Sequence, residues 1–271
     1  MSIKTFFIIP FLLLTLSANE RIISLSPSIT EIIYALEKGD KLVGTSTYSL
    51  YPKEARKLPI IGSYTNPHIE KIISLLPTLV VGQEFNESTL EKLRYFKIKT
   101  LKLNLKTINS IKNSINILEK KINSKNADKL IKNINNAITN APKNKQSHSV
   151  MIVYGLHEDL RGGIYIAGGD IFFDDIIKEC GNTNTYTNNL TSQPVLNYEN
   201  VIALNPQQII ILHSHATESQ VDVKKALKAW YTLPTDASKN KKISIIDEDY
   251  LHIPSHRVAL TISRLCREMN D

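Results

Sequence analysis

Along this chain, short apolar runs of strand length alternate with amphipathic runs of helix length, twice over, around a different central texture. "RIISLSP" reads as a strand. "SITEIIYALEKGD" reads as a helix, capped by Ser28 or Thr30 and closed at Gly39. "KLVGTS" and the shorter "PIIGSY" read as strands. "NPHIEKIISLLP" reads as a helix with Asn66 at its cap, Pro67 in its first turn and a stop before Pro77. "TLVVGQ", "STLEKLRYF" and "IKTLKLN" continue as strand, helix, strand. The second half repeats the alternation: strand "SVMIVYG", helix "GGDIFFDDIIKECG", helix "NYENVIALNP", strand "QQIIILHSH", helix "VKKALKAWYTL", strand "KISIID", helix "SHRVALTISRLCREMN". Such alternation predicts an α/β fold of two Rossmann-like lobes with mostly parallel sheets.

Between the halves, Thr107 to Asn140 holds neither Gly nor Pro. Ile108, Ile111, Ile115, Leu118, Ile122, Leu130, Ile134 and Ile138 recur at helical steps, which predicts one long amphipathic helix. Ser124–Asn126 is the place where a break would fall. Unbroken, the helix would span about 50 Å and act as a stiff strut. The predicted divisions are a leader at 1–18, an N-terminal lobe at 19–106, the linking helix at 107–141 and a C-terminal lobe at 142–271.

The leader "MSIKTFFIIPFLLLTLSANE" has one Lys, an apolar run from Phe6 to Leu16, and small residues before a cut after Ala18. That is the pattern of a signal peptide, too short for a membrane span. No Cys precedes Cys180, so no lipid anchor at a new N-terminal Cys is expected. The mature protein is expected to be exported and soluble. In an oxidising compartment Cys180 and Cys266 would form one disulfide or remain two buried thiols. The net charge is +7, and twelve lysines lie between Lys97 and Lys145 with no aromatic beyond Phe96 to interleave them. That arrangement suits a solvated helix face, not a base-stacking surface, so no nucleic-acid partner is expected.

The segments "EKIISLLP" and "ENVIALNP" share one pattern, an acid leading into a short helix that ends at Pro before a strand. Glu70 and Glu199 therefore sit at equivalent places in the two lobes. One carboxylate per lobe suits a two-point contact with a partner of approximate two-fold symmetry.

Ligands in open α/β sheets bind beyond the carboxyl ends of the strands. Those positions carry Ser26, Tyr48, Tyr64 and Gln83 in the first lobe. In the second they carry Tyr154, His157, His213, His215, Asp249, Tyr250 and His252. Tyrosine offers a flat apolar face with a polar tip. Period two places His213 and His215 on one side, and with His252 they form a candidate metal-ligating set. No HExxH, GxSxG or phosphate-loop spacing occurs, and Glu84 and Asp249 are not visibly paired, so no enzymatic activity is expected.

"SLSPSITEIIYAL", "LVGTSTYSLYP", the duplicated acid-headed segment and the two α/β halves resemble bacterial ABC-transporter substrate-binding proteins. The class resembled is the rigid-helix one that captures vitamin B12, ferric siderophores or haem. The resemblance covers essentially all of the mature chain. It implies a periplasmic, monomeric receptor with no cofactor of its own. Its ligand would be cobalamin or a related metal-containing macrocycle, with a ferric siderophore or haem as the alternative and direct metal-ion capture as a third reading. Glu70 and Glu199 match the family's acids that dock onto an inner-membrane permease, which works with a cytoplasmic ATPase. Tyr48, Tyr64, Asp249 and Tyr250 match ligand-contacting positions, and Cys180 and Cys266 match a disulfide pair. Where cobalamin-binding members carry tryptophan, this chain has Tyr64, Gln83 or Glu84, and Gln193. Its one tryptophan, Trp230, lies in a helix and reads as core.

Overall fold

The computed structural model describes residues 20–188, 191–214 and 221–270, so the predicted leader at 1–18 and His215 lie outside the described residues. The N-terminal lobe runs β1 (Ile22–Ser24), α1 (Pro27–Ala35), β2 (Leu42–Thr45), α2 (Ile69–Ser74), β3 (Leu79–Gln83), α3 (Glu87–Tyr95) and β4 (Thr100–Leu103). Next come α4 (Ile108–Lys121) and α5 (Ala127–Asn140). The C-terminal lobe opens with β5 (Ser149–Tyr154), β6 (Ile164–Tyr165), α6 (Phe172–Glu179), β7 (Thr183–Asn184) and β8 (Val195–Leu196). It closes with α7 (Tyr198–Leu204), β9 (Gln208–His213), α8 (Val223–Tyr231), α9 (Asp236–Lys239), β10 (Ile243–Asp247) and α10 (Val258–Asn270).

The two main sheets have one topology. The first is ordered β2-β1-β3-β4 and the second β7-β5-β9-β10, all strands parallel. In each, the first strand of the lobe is central and the chain crosses it to build outward on both sides. The duplicated segment is α2 and its turn in one lobe, α7 and its turn in the other. Each helix ends at a left-handed residue, Leu76 (φ 49°) or Asn205 (φ 45°), directly before its proline. The conformation costs Asn little and Leu more. At Leu76 the Arg21 guanidinium donates to the carbonyls of Leu75 and Leu76 and ties the turn down.

Period-two alternation divides the cores. Ile22, Val81, Val150, Ile152, Ile210 and Leu212 face one shared core, which spans both lobes. Ile23 and Val80 face the outer core of the first lobe, Met151, Val153, Ile209 and Ile211 that of the second. Trp230 is fully buried in the latter, as its helical setting implied.

Three expectations are corrected. The linking helix is not one rod. It breaks at Ile122–Asn126, where Asn123 turns left-handed (φ 50°), the Ser124 hydroxyl donates to the Leu36 carbonyl at 2.7 Å, and the Ala127 amide donates to the Glu119 carboxylate at 2.7 Å. Lys112 then reaches Asn135 at 3.2 Å, so α4 and α5 lie side by side as a hairpin. The cause is burial: Ile111, Ile115, Leu118 and Ile134 all point into the shared core, each contributing about 1.5–3 kcal/mol, and a straight rod could not cover it with both halves. Second, "PIIGSY" makes no strand of its own. Pro59 has no N–H and Gly62 turns to φ 112°, so the segment only bridges the end of β2 through Thr45 and Thr47. Third, α1 is capped by Ser26, whose hydroxyl accepts the Ile29 amide, because Pro27 occupies the first helical position.

Cys180 and Cys266 form a disulfide that fixes α10 to the end of α6. The lobes are also pinned by charge. Glu31 of α1 is buried, and its carboxylate accepts from Arg257 Nε at 2.9 Å, from Arg257 Nη2 and from the Ser255 hydroxyl. Arg257 also holds Asp249 at 2.9 Å, and its guanidinium lies 4.1 Å from the Tyr51 ring centroid. Burial, the larger influence, pushes the Glu31 carboxyl up, while Arg257 and Ser255 oppose it. At the other end of the interface, Asp175 of α6 accepts the Ile108 amide at 2.8 Å and so caps α4 from the opposite lobe.

Arg257→Met leaves Glu31 buried without its partner and is expected to lower stability by about 3–5 kcal/mol in urea unfolding. The double change Glu31→Leu, Arg257→Met should recover most of that loss. Beside the pin, burial and the Arg257 charge hold the His256 imidazole down, at about 4. A His kept neutral in the fold binds its proton more readily when unfolded, so stability is present above about 6.5 and falls as pH drops towards 4. The loss should reach no more than about 3 kcal/mol, and His256→Phe should flatten that part of the stability–pH curve.

Candidate functional site

The strand ends of the two lobes converge on a cavity of about 740 Å³ between them. Ser26 reaches it from the end of β1, Tyr48 from β2, Gln83 and Phe85 from β3, and Leu105 and Lys106 from β4. From the second lobe come Tyr154 at the end of β5, Phe172 and Phe173 in the first turn of α6, and His252, Ile253 and Pro254 after β10. A pocket of this size, mostly apolar with a few polar groups, suits a bulky small molecule.

Its walls are aromatic on both sides. Tyr48, Tyr64 and Phe85 are 56 %, 44 % and 54 % exposed, high values for such rings in a molecule with an otherwise well-formed core. Tyr64 and Phe85 meet edge to face, with centroids 5.9 Å apart. The Asn86 side chain donates to the Tyr64 carbonyl at 2.7 Å and accepts the Gln83 amide at 2.9 Å, so the loop presenting these rings is braced from below. Opposite stand Phe172 and Phe173, 4.1 Å apart, with Tyr154 5.8 Å from Phe173 and 5.7 Å from His252. Burial pushes the Tyr154 phenol up, the Gln193 side chain opposing it. Gln83 donates to the Ser26 hydroxyl at 3.0 Å, which fixes its amide in the floor.

Six of the sequence-predicted residues thus meet in the cavity: Ser26, Tyr48, Tyr64, Gln83, Tyr154 and His252. Asp249 and Tyr250 do not line it. Asp249 is drawn to Arg257, and Tyr250 packs on the shared core 5.8 Å from the same guanidinium. His213 is also placed elsewhere: it ends β9, between β5 and β10, and is buried. Among the described residues no three His, Cys, Asp or Glu side chains come together to hold a metal ion. Sequence reasoning missed Phe85, Phe172, Phe173 and Lys106. A signal existed for Phe85, which lies just after Gln83 and Glu84 and supplies an aromatic ring at the strand end.

Glu70 and Glu199 are both exposed and both second in their helices. The Tyr198 phenol is raised by its hydrogen bond to Glu199.

Residues 22–250 match the periplasmic binding protein family. The chain belongs to that family. The vitamin B12-binding protein of Photorhabdus laumondii is 26 % identical over 261 residues, covering 94 % of this chain and 90 % of that protein. The vitamin B12-binding protein of Yersinia pestis is 26 % identical over 268 residues, 97 % of this chain and 90 % of its own. Among solved structures, the periplasmic vitamin B12-binding protein BtuF of Vibrio cholerae superposes with a TM-score of 0.74 at 25 % identity, over 93 % of this chain and 96 % of its own. The periplasmic haem-binding protein HutB of Vibrio cholerae shares the fold, with a TM-score of 0.78 at 23 % identity over 94 % of this chain and 100 % of its own. The family consists of binding proteins, and no helix among the described residues is long and apolar enough to cross a membrane.

Removing the Phe85 ring should weaken capture of any flat ligand. Phe85→Ala is expected to lower affinity roughly tenfold, read by quenching of intrinsic tyrosine fluorescence. Tyr95→Ala, more exposed still but outside the cavity, should leave it unchanged.

Proposed function

We propose that this protein is a periplasmic receptor for cobalamin or a closely related metal-bearing macrocycle, which it delivers to an ABC-transporter permease. The observation that carries the reading is the cavity itself, walled by aromatic rings from both lobes and fringed by polar side chains that are neutral apart from Lys106. Relatives along nearly the whole chain are named vitamin B12-binding proteins, which supports the same ligand class. The predicted signal peptide takes the chain across the inner membrane, and a disulfide suits that oxidising compartment. Phe85, beside Gln83, supplies an aromatic face near where cobalamin-binding members carry tryptophan. The family's role calls for a permease with its ATPase as partner and for no cofactor resident in the protein. Haem is the second reading, favoured by the tyrosines and by His252 on the cavity wall, since both residue types serve as haem-iron ligands.

Calorimetry of the purified protein with cyanocobalamin, haemin and ferric siderophores tests the reading. One-to-one binding of cyanocobalamin tighter than the others supports it. A siderophore signal with no cobalamin binding overturns it, as does stoichiometric uptake of bare nickel, zinc or iron ions.

In the same reading Glu70 and Glu199 are the docking contacts, one per lobe, setting orientation and encounter rate more than bulk affinity. Glu70→Gln with Glu199→Gln is expected to cut uptake about tenfold in cells while leaving ligand affinity as it was. Undiminished uptake rules the docking role out.

A further inference from the structure

Lys106 is the one formally charged side chain among the described residues that line the cavity. It is already shared between two acids. Its ammonium lies 3.4 Å from Asp170 of the opposite lobe and 3.6 Å from Glu84 of its own. Both acids flank the wall directly: Glu84 stands between Gln83 and Phe85, and Asp170 precedes Ile171. Pairing with Asp170 first, then Glu84, holds the ammonium above its ordinary range. The three groups together carry one negative charge. A carboxylate arriving beside Lys106 meets that surplus and finds the only cation already shared. The rest of the polar lining, including Ser26, Ser28, Gln83, Ser192 and Gln193, is uncharged and offers both donors and acceptors, the complement of carboxamides. The net charge of +7 draws anions to the molecule as a whole, so any rejection of them has to arise at the cavity.

We infer that the cavity selects a macrocycle fringed with carboxamides over one fringed with carboxylates, and that Glu84 and Asp170, by occupying Lys106 from the two lobes, are specificity-determining residues. The inference rests on the macrocycle reading and sharpens it: corrinoids carry amide arms, whereas haem carries two propionates.

The test compares haemin with its diamide, in which both propionates are carboxamides, alongside cyanocobalamin. Affinities are measured by calorimetry on the full protein. The wild type is expected to bind the diamide at least tenfold tighter than haemin. In the double variant Glu84→Gln, Asp170→Asn, Lys106 is released and the ratio should fall below threefold or invert. In Lys106→Gln both acids stand unneutralised and the ratio should widen. Circular dichroism confirms that each variant is folded. If cyanocobalamin binds but haemin matches or exceeds its diamide in the wild type, or if the ratio is unmoved in the double variant, the inference falls and the receptor reading stands. If no macrocycle binds the wild type, both fall.

Discussion

The relation between the two lobes is set by a buried ion pair. Glu31 belongs to α1, whose capping Ser26 lines the cavity. Arg257 follows directly on the loop that carries His252, Ile253 and Pro254. Tying those two residues together places the floor of one lobe against the wall of the other. A buried ion pair is a poor source of net stability, because desolvating both charges offsets most of their attraction. Its value here is geometric. The guanidinium fork accepts one arrangement of Glu31, Asp249 and the Tyr51 face, so the lobes meet in one register.

Around that pin the molecule repeats itself. Both sheets have the same strand order, both acid-headed helices end in a left-handed residue before proline, and both sets of strand ends open on the cavity. What differs is the furnishing. The first lobe offers exposed rings on braced loops, and the second offers a phenylalanine pair held in the first turn of a helix. Equivalent scaffolds thus present unlike surfaces to the two faces of one guest.

Much of this was legible in the residues, because parallel strands and amphipathic helices announce themselves by period. The alternation of Ile22 with Ile23, or of Val150 with Met151, assigns each to its core without ambiguity. The hairpin was harder, since a helix folded back on itself keeps the same apolar stripe as a straight one. Only the step of eight between Ile122 and Leu130 marked the break. Lys106 was hidden among a dozen solvated lysines, and nothing local distinguishes it; its role is created by Asp170, which arrives from the other lobe. Asp249 was misplaced for the same reason in reverse. Its partner Arg257 lies in the next segment, and an acid at a strand end looks like a ligand contact until that partner is seen.

The shared core carries a mechanical consequence. Because the inner faces of both sheets rest on the same apolar body as the α4–α5 hairpin and α10, there is no greased plane along which the halves could glide apart. Widening the mouth by any large amount would wet that body. Large opening of the lobes is therefore costly, and movement of rim side chains is the cheaper way to change the width of the mouth.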